Sequence, residues 1–312
     1  MTTKDVANLI VSTLICSLAT RGFIDLTVRI LFVWSLLDCA LLNVFPPRDR
    51  DFKHSLIVHH IIVCALCWQY ETLSGRVEWI RAILLLEFST PFLCLHNILQ
   101  TRTTLYLRTL AWVGVRGIVS VYLLYLMNRL FLEDELVYES SPYVVALILL
   151  SVTWTFRSLP HVSSLSLLLV SYAAYRHGFS LFQWLLPLLH VPTSCAFHNC
   201  AERYVGFWRG LDHASMTVSA LVLYQDCHVL TAVGGVAIIT YMGTVAHTAN
   251  LIGGYLIFRV PTMERTLLGA VMGGYIAVTG PRTLSFGHNI AWHTVCTSVL
   301  MKCLRDTATL SI

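Results

Sequence analysis

Apolar residues run through this chain in long blocks, broken by short charged or proline-containing stretches. The blocks fall at about 5–20, 22–45, 55–73, 78–100, 104–132 and 143–157. A second series follows at about 161–176, 179–200, 211–225, 228–243, 245–259, 266–280 and 286–304. None shows the strict alternation of a half-buried strand, whereas unbroken apolar runs of this length suit helices. A helix rises about 1.5 Å per residue, so about 20 apolar residues cross the hydrocarbon core of a bilayer. Some blocks are shorter than that. The pattern predicts an all-α fold, a polytopic transmembrane helical bundle of about 10–13 spans.

Composition sharpens this picture. The 312 residues are 56% hydrophobic and only 12% charged, where soluble domains carry roughly 25% charged residues. Between Asp226 and Arg259 there is no Asp, Glu, Lys or Arg. Such a chain cannot solvate a globular surface, and in lipid a helix satisfies its own backbone groups. The first block ends at Ser17-Leu18-Ala19, as a signal peptide would, but Lys4 is offset by Asp5, so a retained first helix is expected. If the blocks alternate across a membrane, Lys4, Arg48, Arg50, Lys53, Arg102 and Arg157 share one side. The opposite side receives Arg21, Arg76 and the acidic stretch at 132–141. The positive-inside rule then puts the N-terminus in the cytoplasm.

The formal charge of +4 is small and scattered, with no basic run interleaved with aromatics, which excludes a nucleic-acid partner. Ten cysteines are spread through apolar segments and read as buried, inert thiols. Cys64 and Cys67 make a single C-x-x-C pair, a weak zinc signal without a second pair.

Ionisable groups inside a bilayer are expensive, so each is a functional candidate. Asp25 and Arg29, four apart, are expected to neutralise each other along one helix. Arg116, deep in its block, needs a carboxylate, and Asp38 or Glu87 could supply it. His59 and His60 are adjacent and point about 100° apart on a helix, so one can face a cavity while the other bonds a neighbour. Glu87 is followed by Ser89, Thr90 and Pro91, and the proline should bend the helix. A neutral histidine beside a carboxylate can serve as a general base. The same residues would equally make a hydrogen-bonded knot that sets helix register.

The stretch HSLIVHHII followed by LLLEFSTPFLCLHNIL resembles the TLC-domain family, with its paired-histidine helix and E-x-S-T-P-F helix in the same order. That family includes ceramide synthases, which transfer an acyl group to a sphingoid amine, and non-synthase members linked to membrane lipid composition. The resemblance implies a TLC-like region over residues 1–158, with His59, His60 and Glu87 as the catalytic or lipid-contacting set. No H-D-x-x-D run flanks Glu87, which points to the non-synthase branch.

Residues 158–200 resemble the start of myomaker and its relatives in the CREST superfamily, which also holds alkaline ceramidases. That superfamily carries S-x3-H on one helix, an Asp on the next and H-x3-H on the last. Ser194 and His198 fit the first element, Asp212 the second, and FGHNIAWHTV supplies His288 and His293. This implies a CREST-like region over 159–312 and a zinc site drawn from His198, Asp212, His288 and His293. His288 and His293 are five apart and diverge by roughly 140° around a helix, so they converge poorly on one metal. His213 and His247 match no motif.

Three functions follow as expectations. The first is a multipass TLC-like protein of the endoplasmic reticulum or plasma membrane, acting on or sensing membrane lipids, sphingolipids among them. The second is a zinc-dependent lipid amide hydrolase of CREST type, in which a metal-bound water attacks the amide. The third is a structural or transport membrane protein whose buried polar groups bond across helices.

Overall fold

In a computed structural model, residues 3–45, 50–73, 76–155, 163–224 and 286–310 are described. The apolar blocks expected at 228–243, 245–259 and 266–280, and with them His247, lie outside these residues. Every long element is helical, and no strand occurs among the described residues. The chain divides into two compact units, Met1–Arg157 and Ser158–Ile312.

The first unit contains helices α1 (Thr3–Thr20), α2 (Ile24–Val44) and α3 (Arg50–Thr72), then α4 (Val77–Leu85), α5 (Thr90–Leu99) and α6 (Arg102–Leu110), and finally α7 (Arg116–Leu130) and α8 (Glu135–Thr155). A 3-10 turn, Leu86–Ser89, joins α4 to α5, and a π turn, Ala111–Val115, joins α6 to α7. Among the described residues, three helical stretches are long and apolar enough to cross a membrane: Val77–Leu99, Arg102–Leu130 and Glu135–Trp154.

The 3-10 turn has a local cause. Pro91 has no N–H to offer the carbonyl of Glu87, four residues back. The Thr90 N–H bonds that carbonyl instead, tightening the helix by one residue. Two glycines end helices in left-handed backbone, Gly22 at φ +85° and Gly178 at φ +76°. At each, paired bonds close a Schellman turn: Phe23 N to Leu18 O (3.0 Å) with Gly22 N to Ala19 O (3.2 Å), and Phe179 N to Ala174 O (3.0 Å) with Gly178 N to Tyr175 O (3.1 Å). Between α5 and α6, Gln100 (φ 51°) takes the left-handed position and Thr101 caps the next helix by accepting from Thr104 N.

The first unit exposes many large apolar side chains and buries several polar ones within an otherwise apolar core. On α2 the buried stripe is Ile24, Thr27, Val28, Leu31, Ser35, Asp38 and Leu42, at helical spacing. The faces turned outward carry Val33, Leu36 and Leu37 on α2, and Leu110, Ile118 and Val121 along α6–α7. Meanwhile Asp38, His59, Ser89, Arg116, Ser140, Ser141 and Ser151 are buried. An apolar exterior with ionisable groups turned inward is the arrangement expected where lipid is the solvent. Helix α2 packs on α3, α3 on α8, α1 on α5, and the 3-10 turn on the π turn. Fully buried Trp79 donates from Nε1 to Ser140 Oγ at 2.7 Å, tying α4 to α8.

Asp25 and Arg29 do not pair with each other as expected. Tyr70 Oη donates to Asp25 Oδ1 (2.6 Å) and Arg29 Nε reaches Glu71 Oε1 (3.3 Å). Both partners sit at the end of α3, which packs beside α2, so each ionisable group finds a group across the interface.

The second unit contains a 3-10 turn, Ser163–Leu167, followed by α9 (Leu168–Arg176), α10 (Leu181–Asn199), α11 (Val205–Tyr224) and α12 (Phe286–Leu310). Helix α10 packs between α9 and α11, and α12 lies against the 3-10 turn and α9. The eight cysteines described across both units are all free.

Candidate functional site

The first unit holds a partly open cavity of about 900 Å³ whose wall includes Lys4, Asp38, His59, His60, Glu87 and Arg116. Ligand pockets commonly measure about 300–1,000 Å³. Aromatic side chains of Trp34, Trp112 and Trp154 complete it. The helices that carry these groups are distant in sequence, and the two irregular turns deliver two of them. The 3-10 turn presents Glu87, and the π turn presents Trp112 and leads directly into Arg116. Such local breaks of the α-helical ladder recur at functional sites.

His60 and His59 face different carboxylates, as their rotation around α3 requires. His60 Nε2 lies 2.9 Å from Asp38 Oδ2. The other oxygen of Asp38 holds Lys4 Nζ at 3.1 Å. His59 Nε2 stands 3.9 Å from Glu87 Oε1, beyond hydrogen-bond reach. Thr90 Oγ1 donates to the second Glu87 oxygen at 2.9 Å. The His59 ring packs edge-on to His60 (5.3 Å) and to Trp154 (5.4 Å), and its Nδ1 is buried without a hydrogen-bond partner.

Chemically, an imidazole that donates Nε2–H to Asp38 has its tautomer set, and its Nδ1 lone pair becomes the basic site. The carboxylate also stabilises the ring once it is protonated. Asp38 and Lys4 were not assigned to the histidine pair from sequence. Asp38, deep in the apolar block of α2, was the available signal, and the sequence offered it to Arg116 instead. Nothing local marks Lys4, whose role comes from α1 packing beside α2.

Arg116 is not paired with a carboxylate. Its Nε donates to Ser89 Oγ and its Nη1 to Ser151 Oγ, both at 2.7 Å. Its guanidinium carbon lies 4.0 Å from the centre of the Trp112 ring. Among the described residues, Asp38 is taken by His60 and Lys4, and Glu87 accepts from Thr90 Oγ1.

In the second unit, α10 aligns His190, Ser194 and His198 at intervals of four, so they share one face. Ser194 Oγ lies 3.3 Å from His293 Nε2, and Ser163 Oγ lies 2.9 Å from His293 Nδ1. The His198 and His293 rings are 5.5 Å apart. Asp212 stands 3.6 Å from His190 Nδ1, which also bonds Ser215 Oγ at 2.7 Å. His190 was not singled out by any motif, although its i, i+4 spacing to Ser194 was available. The side chains of His288 and His213 lie outside the described residues.

Of the donors implied for zinc, His198, Asp212 and His293 are among the described side chains and His288 is not. Both nitrogens of His293 are engaged by serine hydroxyls, and Asp212 faces His190 rather than the pair formed by His198 and His293. Among the described residues, no three His, Cys, Asp or Glu side chains converge closely enough to hold a metal ion.

Among the described residues, the fold and cavity define an all-helical protein with helices of membrane-crossing length and a partly open, largely apolar chamber that carries several ionisable side chains. Compared with protein-family models, curated proteins and solved structures, the chain matches none.

Proposed function

We propose that this is a polytopic membrane protein, with about 10–13 spans and a cytoplasmic N-terminus, that admits a lipid amphiphile to the chamber of its first unit and acts on it or senses it. The TLC-like motifs and the partly open chamber support the same reading. Its main support is the Asp38–His60 pair at 2.9 Å on the wall of the cavity. With Nε2–H given to Asp38, His60 is equipped to take a proton from a hydroxyl or amine of the bound amphiphile. His59 and Glu87 provide a second imidazole and carboxylate nearby. Membrane lipid composition, sphingolipids included, is the cellular quantity this site would govern.

The test is lipid profiling of cells that carry His60→Ala or Asp38→Asn at normal protein levels. Both variants should shift the lipid profile in the same way as loss of the protein. An unchanged profile in both would remove the support for a lipid-directed site.

A further inference from the structure

Arg116 holds a buried charge that the protein itself leaves open. The residue is 5% exposed, and removing a cation from water is costly unless it is paired and hydrogen-bonded. Among the described residues its hydrogen-bond and ring contacts are neutral: the hydroxyls of Ser89 and Ser151 and the face of Trp112. No carboxylate comes within ion-pair distance among the described residues. Asp38 is committed to His60 and Lys4, while Glu87 is held by Thr90 and turned toward His59. The two serines hold Nε and Nη1 of the guanidinium and Trp112 fixes its plane. No acceptor from the described residues bonds Nη2, and Arg116 lines the cavity.

A planar guanidinium clamped in this way presents Nη2 in a fixed direction, ready to give charge-assisted hydrogen bonds to the oxygens of an anion. We propose that Arg116 is an anion subsite of the chamber, which receives the phosphate or carboxylate head of an acidic amphiphile. The hydrocarbon chain would lie along the apolar wall of Leu31, Leu56, Val63 and Leu93. This inference rests on the reading of the cavity as an amphiphile chamber and adds the charge class of the ligand. It gives the π turn a function as well, since that turn places Trp112 beneath the guanidinium.

The full-length protein, reconstituted in phosphatidylcholine nanodiscs, would be titrated calorimetrically with dodecyl phosphate, dodecanol and inorganic phosphate. Charge-assisted hydrogen bonds predict that dodecyl phosphate binds about 10- to 100-fold more tightly than dodecanol. Arg116→Gln should abolish that preference while dodecanol still binds, which also shows that the variant is folded. Ser151→Ala, which leaves the charge but releases one of its two anchors, should weaken dodecyl phosphate several-fold and leave dodecanol unaffected. This second variant keeps the test decisive if Arg116→Gln does not fold. Equal binding of the two amphiphiles by the unmodified protein would overturn the anion subsite and leave the chamber standing. Binding of neither would overturn both. Inorganic phosphate binding as tightly as dodecyl phosphate would retain the anion subsite and overturn its assignment to a lipid head.

Discussion

His60 on α3 and Asp38 on α2 meet through Nε2 and Oδ2 at 2.9 Å, and Lys4 on α1 closes on the other Asp38 oxygen at 3.1 Å. Three helices thus converge on one carboxylate inside an apolar exterior. The arrangement orients one ring of the adjacent histidine pair and leaves the other, His59, beside Glu87.

Asp38→Asn keeps the shape of the side chain but cannot hold His60 as a carboxylate does. The amide can present its NH2 to the ring and so favour the opposite tautomer. Its effect on cellular lipids should match that of His60→Ala, with helical content unchanged by circular dichroism. A variant that folds normally and leaves lipids untouched would remove Asp38 as the positioning residue for His60.

The Lys4–Asp38 pair should also couple energetically. The side chains are 16% and 8% exposed, so neither charge is fully solvated once its partner is lost. In a double-mutant cycle of Lys4→Met and Asp38→Asn, the coupling should be about 1–3 kcal/mol by reversible unfolding in detergent. By contrast, Arg29 and Glu71 are 70% and 43% exposed, and the same cycle there should give no more than about 1 kcal/mol. Equal coupling in both cycles would contradict the burial argument.

His293→Ala should destabilise the second unit by about 2–4 kcal/mol, because it opens a cavity and leaves the buried Ser163 and Ser194 hydroxyls without their ring partner. His293→Gln, which can satisfy one of the two hydroxyls, should recover part of that loss. Thermal unfolding of the two variants compares them directly, and identical midpoints to the unmodified protein would show that the serine contacts contribute nothing.

Gly22→Ala and Gly178→Ala should each cost about 1–2 kcal/mol, since both positions hold left-handed backbone that a Cβ disfavours. The nearest atom to a Cβ at Gly22 is Arg81 Nη2, at 3.8 Å, and none lies within 4 Å at Gly178. The loss would therefore report backbone conformation rather than steric clash. Unchanged unfolding midpoints would mean that the helix ends relax without penalty.

Much of the helical order was legible because hydrophobic periodicity is local. The blocks at 22–45, 78–100 and 104–132 correspond to Ile24–Val44, Val77–Leu99 and Arg102–Leu130. Helix α3 begins at Arg50, earlier than its apolar block, because the polar residues Arg50, Lys53 and His54 form helix as readily as apolar ones and hydropathy does not register them. Pro91 marked the irregular turn at Glu87. The π turn before Arg116 had no such marker, since its bonding pattern accompanies packing against the 3-10 turn rather than any residue that forbids an α-helix.

The sequence by itself determined that its apolar blocks are helical, that it carries too little charge to solvate a globular surface, and that His59, His60, Glu87 and Arg116 fall within apolar surroundings. Only the tertiary structure decided their partners. Asp38 could have served Arg116 or His60 by spacing alone, and Asp25 could have served Arg29. Helix packing settled both, because an ion pair forms where side chains converge across an interface, and convergence depends on rotation and register between helices. That is why Arg116 came to rest on two serines and a tryptophan, with its charge turned toward the chamber.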